Sequence, residues 1–278
     1  MNRSSPNSRP RWPITTKQRP GARNRTALAE GFPALSFKDH FSGHAKSYAA
    51  WRPAYPPALI RFVADCCGLR NVAWDCATGN GQTALALAAY FDRIIATDAS
   101  AAQIELAPRH PQLDYRVAPA EESGLQDKSA DLIAVSQALH WFDIDRFFEE
   151  AVRVLVPGGV LAAWSYELCA VEKRADALIH ELYQKLDPYW PPERRMVEDG
   201  YRSIQFPMPA IAVPQFEMTA RWSVQQMLGY LRTWSASQRY LDERGRDPVD
   251  SIEPALCSVW GTGTREVRWP LALKAGRV

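Results

Sequence analysis

The feature that most limits what this chain can fold into is a short glycine turn set between an apolar strand and an apolar helix. Val72–Cys76 is a continuous β-favouring run, Thr78-Gly79-Asn80-Gly81 follows as a turn, and Gln82–Phe91 is rich in Ala and Leu. The alternation then repeats. Arg93–Thr97 reads as a strand, Ser100 is placed to cap a helix over Ala101–Arg109, and Leu113–Val117 reads as a third strand. Asp131–Ser136 is a fourth, of the unbroken apolar kind that a parallel sheet buries on both faces. Upstream, Ala58–Cys67 begins behind Pro57 and stops at Gly68, as a helix does. Asp143 caps a helix expected to carry Phe147, Phe148, Ala151, Val152 and Leu155 on one face, and Pro157-Gly158-Gly159 ends it before a fifth strand, Val160–Trp164. Strand and helix at this spacing predict an α/β fold built on a doubly wound sheet.

The texture changes after Tyr166. Glu172–Leu186 and Gln225–Ser235 read as helices and Gln215–Arg221 and Arg265–Leu273 as alternating strands, separated by the Pro- and aromatic-rich stretches Pro188–Pro192 and Phe206–Pro214. The two late strands extend the sheet edge, and the helical segments fold over it as a lid. Such sheets take their ligands at the carboxyl ends of the strands, beneath a lid of this kind.

Composition narrows the function. With 278 residues, 46% hydrophobic and 23% charged, the chain is long enough for a large core, which excludes a wholly disordered protein. No apolar run approaches the roughly 18 residues that span a bilayer, so no membrane partner is expected. The five cysteines form no C-x-x-C pair, so neither a metal site nor a disulfide framework is expected, and a reducing cytoplasm is the expected setting. The net charge of +2 is unevenly spread: Arg3, Arg9, Arg11, Lys17, Arg19, Arg23 and Arg25 stand against Glu30 alone at the start of the chain. Residues 1–34 are therefore expected to be a disordered basic tail, and Pro6, Pro10, Pro13 and Pro20 oppose the amphipathic helix of a targeting signal. The remainder is mildly acidic, which argues against nucleic acid as a partner.

Two cofactor classes use a strand, glycine turn and helix of this form. From Gly79, the row Gly-Asn-Gly-Gln-Thr-Ala fits the dinucleotide G-x-G-x-x-G/A fingerprint, with Asp98 near the ribose-binding position, 19 residues on. A nicotinamide-dependent oxidoreductase is thus one reading. Asp75 opposes it, because a carboxylate at the mouth of the first strand would face a pyrophosphate of like charge. A cationic ligand suits Asp75 better.

S-adenosylmethionine is such a ligand, and here the sequence resembles the class I methyltransferases. Their first motif is an acidic residue followed by G-x-G-x-G, and this chain has Asp75 and then Ala77-x-Gly79-x-Gly81. The departure at Ala77 is expected to cost little, provided that its backbone does not need positive φ. The resemblance covers about residues 37–170. It includes Asp98 at the end of the second strand, Ala120-Glu121 after the third, Ser136–Phe142 after the fourth, and Pro157-Gly158-Gly159. Phe41, Tyr48, Arg52-Pro53 and Tyr55-Pro56 upstream and Tyr230–Ser235 downstream also look like the branch holding the trans-aconitate and malonyl-carrier methyltransferases. The fold so implied is Rossmann-like and seven-stranded with an antiparallel edge strand. Its cofactor-binding core would span 35–170, with sheet completion and a helical substrate lid in 171–278.

Carried over by position, the resemblance assigns Asp75 to the methionyl ammonium, Ala77 and Gly79 to close backbone approach, and Asp98, with Ala99 beside it, to the ribose hydroxyls. Ala120 and Glu121 would lie by the adenine, Gln137 and Ala138 by the methionyl group, and Arg52 on its carboxylate. His140 is the expected general base where the acceptor needs one. Trp141, Tyr230 and Trp234 are expected to line the acceptor pocket, and Arg232 and Arg239 are candidates to pair with an acidic acceptor. No Asn-Pro-Pro-aromatic tetrad, catalytic cysteine pair or basic groove is present, so a small molecule, conceivably a carboxylic acid, is the expected acceptor for a monomer or homodimer. A catalytically silent cofactor-binding protein is the other alternative.

Overall fold

The computed structural model describes residues 53–278, so the expectations for the basic tail and for Arg52 fall outside the described residues. All described residues lie in one compact unit. Its centre is a seven-stranded sheet made of β1 (Val72–Cys76), β2 (Arg93–Asp98), β3 (Leu113–Val117), β4 (Ala130–Ser136), β5 (Leu155–Tyr166), β6 (Phe216–Trp222) and β7 (Arg265–Arg277). The spatial order is β3-β2-β1-β4-β5-β7-β6. β1 to β5 are parallel, and β7 runs antiparallel between β5 and β6. The antiparallel strand of the expected edge therefore has one more strand outside it. The winding reverses between β1 and β4, where an open α/β sheet leaves a crevice at its carboxyl edge.

Four helices connect the parallel strands: α1 (Pro57–Asp65) leads into β1, and α2 (Gln82–Leu87), α3 (Ala101–Glu105) and α4 (Ile144–Val154) follow. Pro57 opens α1, the Ser100 hydroxyl accepts the Gln103 N–H at the head of α3, and Asp143 accepts the Arg146 N–H at the head of α4. α3 is shorter than expected, because Pro108 excludes helical backbone at Ala107 and brings no N–H of its own. On α4 the buried positions are Phe147, Phe148, Ala151 and Val154, while Val152 is 43% exposed. Val152 sits five residues after Phe147, half a turn off the buried face. β5 begins at Leu155, ahead of Pro157-Gly158-Gly159, and its pairing with β4 shifts register between Ala130 and Leu132.

Two insertions follow. α5 (Lys173–Lys185) and α6 (Arg194–Glu198) lie between β5 and β6, and α7 (Val224–Arg232), α8 (Ser235–Arg244) and α9 (Glu253–Trp260) lie between β6 and β7. Their apolar sides, including Ile179, Leu182, Leu228, Leu231 and Leu256, share one core with Leu59, Ala84, Leu132 and Trp164 of the α/β layer. The other face of the sheet packs Trp74, Ile133 and Leu161 against Phe147, Phe148, Val197 and Tyr201. Alternation along β1 and β4 sends successive side chains into these two cores, as a sheet covered on both faces requires.

One side chain sets the start of the central pair. Asp131, at the foot of β4, is 5% exposed and accepts the N–H groups of Asn71 at 2.7 Å and Val72 at 2.9 Å. Removing it strands two donors at the entry to β1. Asp131→Ala is expected to lower stability by about 2 kcal/mol, read as a lower urea midpoint with an unchanged slope.

Candidate active site

The glycine turn is left-handed at three alternate positions, with φ of +55° at Ala77, +57° at Gly79 and +84° at Gly81. The low cost expected for Ala77 is therefore corrected. Its Cβ sits in a region that costs a non-glycine residue roughly 1–2 kcal/mol. At Gly81 a side chain would meet the same strain and a second obstacle, since a Cβ there would lie 2.4 Å from the Tyr115 hydroxyl and the ring would have to shift. Asp98 fastens the turn to β2. Its Oδ2 accepts the Gly79 N–H and its Oδ1 the Ser100 N–H, both at 2.8 Å. The cap of α3 is thus Ser100, and Asp98 spans from the turn to the start of that helix.

Asp75, at the end of β1, is fully buried. The Thr78 hydroxyl donates to its Oδ2 at 2.5 Å, whereas its Oδ1 has no hydrogen-bond partner. Burial pushes its carboxyl up to about 7, against the pull of the Thr78 hydroxyl and the Ala84 N–H, and the charge of Asp98 adds to the rise. The neighbouring Cys76 thiol is held well above its ordinary value by burial and then by the charges of Asp75, Glu121 and Asp98. Three carboxylates thus converge on the end of β1. Glu121 is further tied to the next crossover, accepting the Asp143 N–H at 2.8 Å. Ala99, Ala120 and Ala138 follow the ends of β2, β3 and β4, and the last two are buried. A buried carboxylate oxygen without a partner, in a field of like charge, calls for a cation or a donor.

Past β4, Gln137 also has positive φ, +55°. Its N–H donates to the Trp164 carbonyl at 2.8 Å, and its Oε1 accepts the Tyr166 N–H at 2.9 Å. The Thr83 hydroxyl of α2 reaches the Ser136 hydroxyl at 3.1 Å, which links the glycine turn's helix to this corner. From Gln137 opens a cleft lined also by His140, Trp141, Trp190, Arg194, Tyr230 and Trp234. The structure thus brings the expected His140, Trp141, Tyr230 and Trp234 to one cavity. His140 is buried with Nδ1 3.0 Å from the Tyr201 hydroxyl, and burial, then the charge of Arg194, lowers it to about 3. It is a neutral imidazole at physiological pH.

Sequence reasoning missed Thr78, Tyr115, Trp190, Arg194 and Tyr201. Thr78 lies three residues after Asp75 and was legible in principle as its hydroxyl partner; the rest belong to no motif. Arg232 is corrected as a substrate residue, since it is held by Asp247 at 2.5 Å, Glu253 at 2.7 Å and Asp250 at 3.1 Å. Arg239 donates to the Tyr189 carbonyl at 3.3 Å. Among the described residues no cluster of His, Cys, Asp and Glu is placed to hold a metal ion, and no helix is long and apolar enough to cross a membrane.

Comparison with known proteins decides among the cofactor classes. A methyltransferase-domain family matches residues 74–163. A Dictyostelium discoideum protein named as a methyltransferase is 34% identical over 81% of this chain and 88% of its own length. The chain belongs to the class I S-adenosylmethionine-dependent methyltransferases. A solved structure from Anaeromyxobacter dehalogenans, named as a type II methyltransferase, superposes on this methyltransferase with a TM-score of 0.76. It shares 46% identity over 81% of this chain and 97% of that one. A Saccharomyces cerevisiae protein named as an S-adenosylmethionine-dependent methyltransferase is 28% identical over 41% of this chain and 43% of its own. These likenesses carry the family and the cofactor, and they stop short of the branch expected from Tyr230–Ser235. The donor set suits the cofactor: an ammonium and a sulfonium, with no phosphate, meet a site rich in carboxylates.

Two outcomes follow from the strain and charge described. Ala77→Gly is expected to stabilise the methyltransferase by about 0.5–1 kcal/mol, relief at positive φ being partly offset by the freer unfolded chain, as measured by chemical denaturation. Asp75 is protonated in the folded protein and ionised in the unfolded one between about pH 4 and 7, so holding its proton costs stability progressively as pH rises through that window. Asp75→Asn is therefore expected to melt above the parent at pH 8 and to lose that advantage toward pH 5, in ligand-free calorimetric scans.

Proposed function

We propose that this methyltransferase methylates a small, flat organic molecule held in the aromatic cleft beside Gln137. The observation that carries the reading is the division of charge: three carboxylates gather at the end of β1, and among the described residues none that lines the cleft is Asp or Glu. The first end suits a cationic cofactor and the second a neutral or negative acceptor. Asp75 Oδ1 takes the methionyl ammonium, and the carboxylate of Asp98 takes the ribose hydroxyls. Ala77 and Gly79 offer close backbone approach, Ala99 and Ala120 flank the adenosine with Glu121, and Gln137 and Ala138 flank the methionyl group. Arg52 pairs with the methionyl carboxylate.

S-adenosylmethionine supplies a methyl carbon made electrophilic by its sulfonium. The chain's own task is to bind, orient and dry the acceptor. Trp141, Tyr230 and Trp234 supply planar apolar walls, and the strained Gln137 backbone fixes the corner where the two ligands meet. His140 is too weakly basic at neutral pH to take a proton efficiently, so its part is that of a neutral hydrogen-bonding group. The nucleophile then arrives unprotonated. A reducing cytoplasm suits the five free cysteines. A nicotinamide cofactor is opposed by the same three carboxylates.

Isothermal titration with S-adenosylhomocysteine and, in parallel, NADH tests the cofactor site. Binding of the first and not the second is expected, and Asp98→Asn, folded by circular dichroism, is expected to weaken it at least ~10-fold through one lost charge-assisted contact. Binding of NADH alone, or an unmoved affinity in the variant, refutes the assignment.

A further inference from the structure

Among the described residues that line the cleft, Arg194 is the one Lys or Arg, and nothing in the cofactor site uses its charge. The Arg194 guanidinium lies over the Trp190 ring at 5.0 Å and over the Tyr183 ring at 5.8 Å. Its Nε donates to the Tyr183 hydroxyl at 3.2 Å, and that hydroxyl donates in turn to Glu198. Among the described residues no carboxylate comes within ion-pair distance of Arg194, although eleven such pairs form elsewhere. The two neighbouring rings hold the half-buried fork in place, a setting in which a guanidinium binds an oxyanion well.

The second group is His140. Tyr201, fully buried and in left-handed backbone at φ +60°, brings its hydroxyl to 3.0 Å from His140 Nδ1. The peptide N–H groups of His140 and Leu139 and the Ser165 hydroxyl all face the phenol oxygen. With the two N–H groups directed at its lone pairs, the phenol has its O–H left to give, and the imidazole Nδ1 is a stronger acceptor than the Ser165 hydroxyl. A neutral ring that accepts at Nδ1 carries its one proton on Nε2. Nδ1 is taken on the Tyr201 side, which leaves Nε2 for the cleft.

We propose that Arg194 and the Nε2–H of His140 form an oxyanion-binding pair, with Tyr201 as the positioning residue that fixes the tautomer, and that the acceptor is a planar organic carboxylate. The two donors recognise its anionic group, and Trp141, Trp190 and Trp234 stack on its flat body. The inference rests on the acceptor reading of this cleft. It accounts for a histidine kept neutral at the mouth of a pocket, and for an arginine that the fold leaves without an acid.

The test uses the full chain saturated with S-adenosylhomocysteine and two probes of the same shape, 2-naphthoate and 2-naphthamide, compared by isothermal titration. The carboxylate is expected to bind at least ~10-fold more tightly, the size of one charge-assisted contact. Arg194→Met should bring the ratio near one, and Arg194→Lys should restore part of it. Equal affinities in the parent, including binding of neither probe, or a ratio unmoved by Arg194→Met, overturn the proposal. Nitrogen NMR of the parent enzyme reads the tautomer directly: a protonated Nε2 at His140 is expected, a protonated Nδ1 removes His140 from the pair, and Tyr201→Phe should erase the preference. Failure of the cofactor reading would appear separately, as absent S-adenosylhomocysteine binding with carboxylate selectivity intact.

Discussion

The site depends on the two hydrogen bonds that Asp98 accepts from Gly79 and Ser100. In this turn of three left-handed residues the Thr78 N–H reaches the Thr97 carbonyl and the Gly81 N–H the Thr78 carbonyl, which leaves the Gly79 N–H for a side-chain acceptor. Asp98 supplies that acceptor from the end of β2 and so sets how closely the turn lies against the neighbouring strand. The same carboxylate sits beside the first residue of the next crossover. One side chain thus joins two strand-to-helix connections, and each later contact of the cofactor site is measured from it.

Charge is distributed with comparable economy. Asp98 stands close enough to act on Asp75, and both, with Glu121, act on Cys76, a costly arrangement in a protein interior. Beyond Gln137 the lining changes to tryptophan, tyrosine and a lone guanidinium. The boundary between these environments is a residue in strained backbone, pinned through its N–H to β5 and through its amide oxygen to Tyr166. Strain at such a place is a familiar cost of holding two ligands at a fixed separation.

The parallel half of the fold was legible in the sequence, because its signals are local. Val72–Cys76 and Leu113–Val117 have the expected bounds, and Ser100 and Asp143 cap the helices they precede. Periodicity erred at Val152, where an apolar residue faces solvent, and the low cost expected of the motif's departure at Ala77 failed because the turn imposes positive φ there. The acceptor side was less legible. α8 is largely polar and buries only Ala236, Ser237 and Tyr240, so it carries little amphipathic signal, and α9 opens at a proline. Arg194 and Tyr201 reach the cleft from a stretch whose Pro and aromatic content gave no hint of direction. Arg232, by contrast, looked available because its three acidic partners, from Asp247 to Glu253, lie beyond the reach of helix spacing.

β7 has a bearing on how this chain acquires its shape. It is the last element in the sequence, yet it lies inside the sheet, pairing with β5 on one side and β6 on the other. During synthesis the outer edge of β5 stays unpaired while residues 167–264 are made, and the helices that will wall the cleft have no complete sheet to dock on. The cofactor half can assemble early from nearby strands, whereas the acceptor half waits for a distant one. A nascent or partly unfolded chain therefore presents a long apolar edge, the kind of surface that recruits chaperones or a second copy.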